Sequence, residues 1–187
     1  MEGVNQADTG NQMTLHTSKG CKMDAKRKQT GSTMEKNCYN GANDNSGCGV
    51  QGKKSTTGEA FNANGGGVYA MEWRDEGIRM WFFDRDSIPS DIPTDVSNTS
   101  VTPDPSTWGE ATADFPSTDC DISSHFKNQS IIANIDLCGS WAGKASIYSD
   151  KDGCPDTCTD YVAANSSSAG FEKAYWEFAS FRVYSAS

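Results

Sequence analysis

Apolar residues in this chain recur at every second position rather than at every third or fourth. In 12–17, Met13 and Leu15 point one way while Thr14 and His16 point the other. Segments 68–73 and 78–83 alternate in the same manner around Arg74-Asp75-Glu76-Gly77, a turn-forming tetrad that ends in glycine, and together they predict a β-hairpin with a short loop. Segment 130–137 sets Ile131, Ala133, Ile135 and Leu137 against Ile132, Asn134 and Asp136, and 174–184 sets Trp176, Phe178 and Tyr184 against Tyr175, Phe181 and Val183. Alternation of this period marks half-buried strands, because successive side chains on a strand face opposite ways. No segment sustains an i, i+3, i+4 apolar stripe over three turns, so helix is a minor component. Short strands joined by turn-rich connections predict an all-β sandwich or barrel.

The 187 residues have room for one domain. Aromatic residues, 5 Trp, 6 Tyr and 8 Phe, supply the large buriable surfaces that an otherwise polar chain needs for a core. A formal net charge of -9 argues against nucleic acid and anionic membrane surfaces as partners, since both demand a basic face. No run reaches the length of a membrane span, and Met1-Glu2-Gly3-Val4-Asn5 lacks the basic and apolar regions of a signal peptide.

The cysteines pull the other way. Cys21, Cys38, Cys48, Cys120, Cys138, Cys154 and Cys158, in a chain crowded with Ser, Thr, Asn and Gly, read as a disulfide framework formed in an oxidising compartment. Asn-x-Ser/Thr triplets at Asn98, Asn128 and Asn165 are compatible with secretion. An odd cysteine count without a signal peptide gives the expectation of a piece of a longer secreted protein.

Three long connections lie between the alternating segments. Residues 19–67 concentrate basic side chains (Lys19, Lys22, Lys26, Arg27, Lys28, Lys36), three cysteines and many glycines, and read as a solvated loop pinned by disulfides. Residues 84–119 hold all but one of the 6 prolines and are expected to be irregular and exposed. Residues 138–173 carry Cys154-Pro155-Asp156-Thr157-Cys158 and a serine run at 166–168.

Most catalytic and metal chemistries find no support. Cys154 and Cys158 have no second ligand pair at a zinc-like interval, and Asp150-Lys151-Asp152-Gly153 opens like a calcium loop but is followed by Cys154 and no late bidentate Glu. Gly65-Gly66-Gly67 precedes a strand rather than opening a helix, so it is a flexible entry and not a phosphate cradle. No Gly-x-Ser-x-Gly occurs. Carboxylates remain, with Glu2 and Asp136 in the most informative surroundings. No metal and no cofactor are called for.

Consecutive blocks then add what composition does not. Met1-Glu2-Gly3-Val4-Asn5, Thr14-Leu15-His16-Thr17, Gly20-Cys21, Gly65-Gly66-Gly67-Val68-Tyr69-Ala70-Met71-Glu72-Trp73 and Trp81-Phe82-Phe83 lead the series. Ser87-Ile88-Pro89, Pro103-Asp104-Pro105-Ser106-Thr107-Trp108-Gly109, Cys120-Asp121-Ile122, His125-Phe126, Asn134-Ile135-Asp136-Leu137-Cys138-Gly139-Ser140-Trp141-Ala142-Gly143 and Tyr175-Trp176-Glu177-Phe178 complete it. In order and over essentially the whole chain, they resemble glycoside hydrolase family 16, in its fungal endo-1,3(4)-β-glucanase (laminarinase) branch. The resemblance implies a concanavalin A-like β-jelly-roll whose concave sheet holds a β-glucan. It also implies a strand signature Glu-x-Asp-x-x-Glu, whose first Glu is the nucleophile and whose last is the general acid/base of a retaining mechanism.

Glu2 matches that last Glu, and Met1 stands just before it, so the nucleophile and the Asp would fall upstream of Met1. The resemblance therefore implies residues 1–187 as the C-terminal portion of one family 16 domain, incomplete at its N-terminus, from a secreted, monomeric parent acting on β-1,3 or mixed 1,3/1,4 glucan. This chain by itself is expected to be inactive. A glucan-binding sandwich that lost its acid pair, or a non-functional truncation product, is the alternative. His16, Asn134, Asp136 and Trp141 are the candidate substrate contacts, with hydrogen bonding or packing as the competing structural roles, whereas Trp73, Trp81 and Trp176 are expected in the core. For the cross-links, Cys120 is expected to join Cys138 and Cys154 to join Cys158, leaving one bridge and one thiol among Cys21, Cys38 and Cys48.

Overall fold

The hairpin around Arg74 forms as its alternation demands. In the computed structural model, strands β4 (Gly67–Arg74) and β5 (Gly77–Asp84) pair antiparallel with Val68 opposite Phe83, Met71 opposite Met80 and Trp73 opposite Ile78. Gly77 closes the turn at φ 152, and a Cβ there would stand 2.6 Å from the carbonyl oxygen of Phe115. Strand β6 (Ala113–Pro116) adds to the other edge of β5 and completes a three-stranded sheet ordered β4-β5-β6.

The structure describes residues 1–3, 10–95, 97–98, 100–150, 153–165 and 171–185. The serine run at 166–168 and Lys151-Asp152 lie outside the described residues. Two compact units make up the chain, Met1–Gln129 and Ser130–Ser187.

In the first unit a second sheet, ordered β1-β3-β2, joins β1 (Gln12–Leu15), β3 (Cys48–Gln51) and the two-residue β2 (Ser32–Thr33). Its central strand comes from the segment that reads as a loop in sequence. Cys48-Gly49-Val50-Gln51 lies among glycines and polar residues with no alternation around it, yet Cys48 and Val50 are fully buried opposite Leu15 and Met13. Both sheets feed one core. Met13, Leu15 and Val50 of the first sheet cluster with Ile78, Met80, Ala113 and Phe115 of the second, which makes a sandwich. Burial of these side chains is the main stabilising term.

Residues 29–31 stitch the two sheets together. Thr30 and Gly31 donate backbone N–H groups to the carbonyls of Ala111 (2.9 Å) and Thr112 (3.0 Å) just before β6. A Cβ on Gly31 would stand 2.6 Å from Val50 Cγ1, 2.7 Å from Thr112 O and 2.8 Å from Gln51 O, so only glycine fits this crossing. On the outer face of the second sheet, Glu72, Arg79 and Asp114 form a row across β4, β5 and β6. Arg79 reaches Glu72 at 3.1 Å and Asp114 at 3.5 Å, and the buried Asp114 also accepts from the Lys28 N–H at 3.0 Å. The proline-rich stretch is irregular as expected up to residue 112, but its end is buried strand β6. Trp108 packs edge-on against Trp81 at 5.3 Å and Phe83 at 5.8 Å, and its indole donates to Asp91.

Helices are short. The first unit has α1 (Gly58–Ala63) and α2 (Ile122–His125), and the second has α3 (Ala145–Tyr148) and α4 (Cys158–Asn165). Among the described residues no helix is long and apolar enough to cross a membrane.

Two sequence expectations fail in the second unit. Segments 130–137 and 174–184 form no strand among the described residues, and their alternating apolar side chains stay exposed, Ile132 at 79% and Trp176 at 56%. A strand needs a neighbour to receive its N–H and C=O groups, and no described segment pairs with either one. The expected core set divides accordingly: Trp81 is buried, whereas Trp73 on edge strand β4 and Trp176 are exposed.

The disulfides also differ from expectation. Cys21 joins Cys120, Cys38 joins Cys48 and Cys138 joins Cys158, while Cys154 is in none of these bridges. Neither Cys120–Cys138 nor Cys154–Cys158 forms. Cys120 meets Cys21 because the chain around it runs beside residue 22, where Lys22 N–H donates to the Asp119 carbonyl at 3.0 Å. In the second unit the cysteine that opens α4 reaches Cys138 across 20 residues instead of its near neighbour.

Candidate active site

Glu2 is held by β1. Its backbone N–H donates to the Gln12 carbonyl at 2.8 Å, and Gln12 N–H donates back to the Glu2 carbonyl at 2.9 Å, a hydrogen-bonded antiparallel pair. Residues directly opposite in such a pair share a face. Glu2 therefore stands on the side of Gln12 and Thr14, away from buried Met13 and Leu15, and its side chain is exposed.

His16 continues the polar alternation of β1 and is exposed. Four residues beyond Gln12 places it about 13 Å further along the strand direction. Its Nδ1 lies 3.1 Å from Asn45 Oδ1, which orients the ring. Across β3 the same face continues through Gly49, opposite Thr14. A Cβ at Gly49 would stand 3.2 Å from Thr14 Oγ1 and 3.7 Å from Met34 Cβ, so the missing side chain leaves a shallow row between them. Met34 also lines a cavity of about 530 Å³ with Lys22, Asp24, Thr33, Glu35, Lys36 and Asn37. Backbone N–H groups of Asn37 and Lys36 bind the Glu35 carboxylate and hold it below the usual range. The unpatterned 48–51 segment concealed this extension of the face.

The second unit holds the other candidates. Asn134 and Asp136 are brought together by a hydrogen bond, Asn134 Nδ2 donating to Asp136 Oδ1 at 3.1 Å. Trp176 Nε1 donates to the Asn134 carbonyl at 2.9 Å, and the Trp176 ring stacks on Phe178 at 5.7 Å with 20° between planes. Trp141 lies in a turn, its carbonyl accepting from Lys144 N–H at 3.1 Å, with its indole exposed. Alternation puts Trp176 and Phe178 on one face and gives the core expectation for Trp176, but it tells which side chains share a face and not whether that face is covered, and both rings are exposed. Among the described residues no group of three or more His, Cys, Asp or Glu is gathered as a metal site.

The architecture is that of an all-β, jelly-roll sandwich with a polar sheet face that presents an acid and a histidine. The family profile described as "XgeA-like, catalytic GH16 domain" matches residues 1–184, and the chain belongs to glycoside hydrolase family 16. It is 48% identical over 188 residues to a "Probable glycosidase" of Schizosaccharomyces pombe, covering 98% of this chain and 42% of that protein. It is 38% identical over 192 residues to the endo-1,3(4)-beta-glucanase xgeA of Emericella nidulans, covering 98% of this chain and 28% of that protein. The solved structure of laminarinase 16A from Phanerochaete chrysosporium, with two β-glucans in donor and acceptor sites, superimposes with a TM-score of 0.77 at 46% identity. That match covers 87% of this chain and 53% of the laminarinase. An elongating family 16 β-1,3-glucosyltransferase is similar at TM-score 0.73 and 41% identity, covering 87% of this chain and 54% of that one. The chain thus spans less than half the length of these curated relatives and about half of the solved chains.

Proposed function

We propose that this chain is the C-terminal portion of one family 16 domain that hydrolyses β-1,3 and mixed 1,3/1,4 glucans, endo-acting and with retention of configuration. Glu2 is its general acid/base. The observation that carries the reading is the pairing of Glu2 with Gln12, which sets the carboxyl on an open polar sheet face shared with His16. The match over residues 1–184 supports treating both units as parts of that domain.

A retaining glycosidase needs a second carboxylate about 5–5.5 Å from the acid to attack the anomeric carbon. In this reading that nucleophile belongs to a Glu-x-Asp preceding Met1. The first step forms a bond from the nucleophile to C1 while Glu2 protonates the departing oxygen. Glu2 then draws a proton from water as the glycosyl ester is hydrolysed. His16 touches the glucan further along the face. In the second unit, Asn134 and Asp136 offer hydrogen bonds to sugar hydroxyls and Trp141 an exposed ring for stacking. The protein acts as a monomer and is secreted, and the disulfides Cys21–Cys120, Cys38–Cys48 and Cys138–Cys158 support secretion.

The test compares the 187-residue chain with a longer protein that carries Glu-x-Asp ahead of Met1, on laminarin and barley-type glucan. The short chain is expected to release no product, and the longer one to release product with retention. In the longer protein Glu2→Gln lowers turnover at least a hundredfold, while azide partly rescues an activated aryl glycoside. Hydrolysis by the short chain alone overturns the assignment and makes Asp136 the next carboxylate to mutate. Glucan binding without hydrolysis by a native protein that has no Glu-x-Asp ahead of Met1 supports the alternative of a binding sandwich that lost its acid pair.

A further inference from the structure

Three Asn-x-Ser/Thr triplets stand outside the proposed hydrolase chemistry, and their surroundings differ. Asn98 is half-buried, with its side-chain carbonyl accepting from both the N–H (3.2 Å) and the hydroxyl (2.9 Å) of Ser100. Asn165 is the last residue of α4. Asn128 stands in the open, between the end of α2 at His125 and the start of α3 at Ala145.

Asn128 adopts φ 51, a left-handed conformation that asparagine tolerates better than most residues and that turns the chain at this point. Gln129 Nε2 donates to the Lys127 carbonyl at 3.1 Å and closes a local turn with Asn128 at its apex. Lys127, Asn128, Gln129 and Ser130 are all exposed, and none belongs to a strand or helix. An enzyme that modifies an asparagine amide must take hold of the triplet backbone, reach the hydroxyl two residues on and leave room for a bulky product. A ladder-free exposed apex meets all three demands, since no sheet or helix hydrogen bond has to break.

We propose that Asn128 is an N-glycosylation site. The Asn128 Nδ2 forms a bond to the anomeric carbon of an oligosaccharide carried on a lipid diphosphate. The bond from that carbon to the diphosphate oxygen breaks, the lipid diphosphate leaves, and the amide gives up one proton. The proposal rests on the reading of this protein as secreted, because donor and transferase act in the secretory lumen, where the three disulfides also form.

The test supplies a cleavable secretory leader to the 187-residue chain, translates it with microsomes and examines only the protease-protected product. Glycans are released by an amidase in 18O-labelled water, and position 128 is expected to be recovered as labelled aspartate in the larger part of the molecules. Asn128→Gln is expected to run one glycan step faster. Ser130→Ala gives the same loss and Ser130→Thr keeps the glycan, a pattern that misfolding by itself does not produce. Because the leader forces entry, the outcome is independent of native export, which is measured separately in the culture medium of the native host. Unmodified Asn128 in protected chains overturns the proposal, as does unchanged mobility of Asn128→Gln.

Discussion

Removing the Cys21–Cys120 bridge is expected to destabilise the first unit more than removing Cys38–Cys48, by an amount set by loop length. The two bridges close separations of 99 and 10 residues. In the chain-entropy account the stabilisation is about 4.7 kcal/mol for the longer loop and about 2.7 kcal/mol for the shorter one, a difference of about 2 kcal/mol at 25 °C. All four cysteines are at most 2% exposed, so the cost of truncating the side chains is closely matched and largely cancels. The comparison is between the double variants Cys21→Ala/Cys120→Ala and Cys38→Ala/Cys48→Ala in urea. Tryptophan fluorescence reports unfolding, with Trp81 4% exposed in the fold. With an m-value of about 2 kcal/mol per molar, the midpoints are expected to differ by about 1 M, the Cys21 variant unfolding first. Equal midpoints, or the reverse order, would refute the loop-entropy argument and point to native-state effects around Cys38–Cys48.

Tyr69 yields a pH prediction. Burial pushes its hydroxyl up to about 12, even though it accepts from Asn11 and donates to the Thr56 carbonyl. The fold favours the protonated form, so this contribution is complete below the unfolded value near 10 and is lost as pH rises through about 12. Burial also pushes the Tyr148 hydroxyl up, so alkaline difference spectroscopy is expected to show a late-titrating component that Tyr69→Phe reduces but does not abolish. Phe115→Ala removes a fully buried ring and is expected to cost about 3–5 kcal/mol in denaturant unfolding, with a loss under about 1 kcal/mol contradicting its core role. Gly31→Ala drives a methyl into two carbonyl oxygens, and a cost of about 1–3 kcal/mol, read as a lowered Tm, is expected.

Several features follow from the sequence alone. The hairpin between Gly67–Arg74 and Gly77–Asp84 forms where alternation on both sides of Arg74-Asp75-Glu76-Gly77 puts it, because turn chemistry and side-chain period are local properties. The polar side of β1 was legible in the same way, and with it the exposure of His16. The ordered blocks of residues carried the family. Tertiary structure decided the rest. Which cysteines meet depends on which distant segments run side by side, as 22 does with 119, and spacing along the chain does not encode that. Central strand β3 sits between glycines and polar residues that carry no alternation on either side, and its place comes from Leu15 and Met13 lying opposite Cys48 and Val50. Segments 130–137 and 174–184 show the converse: they alternate as well as any strand in the chain, but a strand exists only when another one accepts its hydrogen bonds. Glu2 belongs with these nonlocal features, since its side of the sheet is fixed not by its neighbours in sequence but by two backbone hydrogen bonds to Gln12.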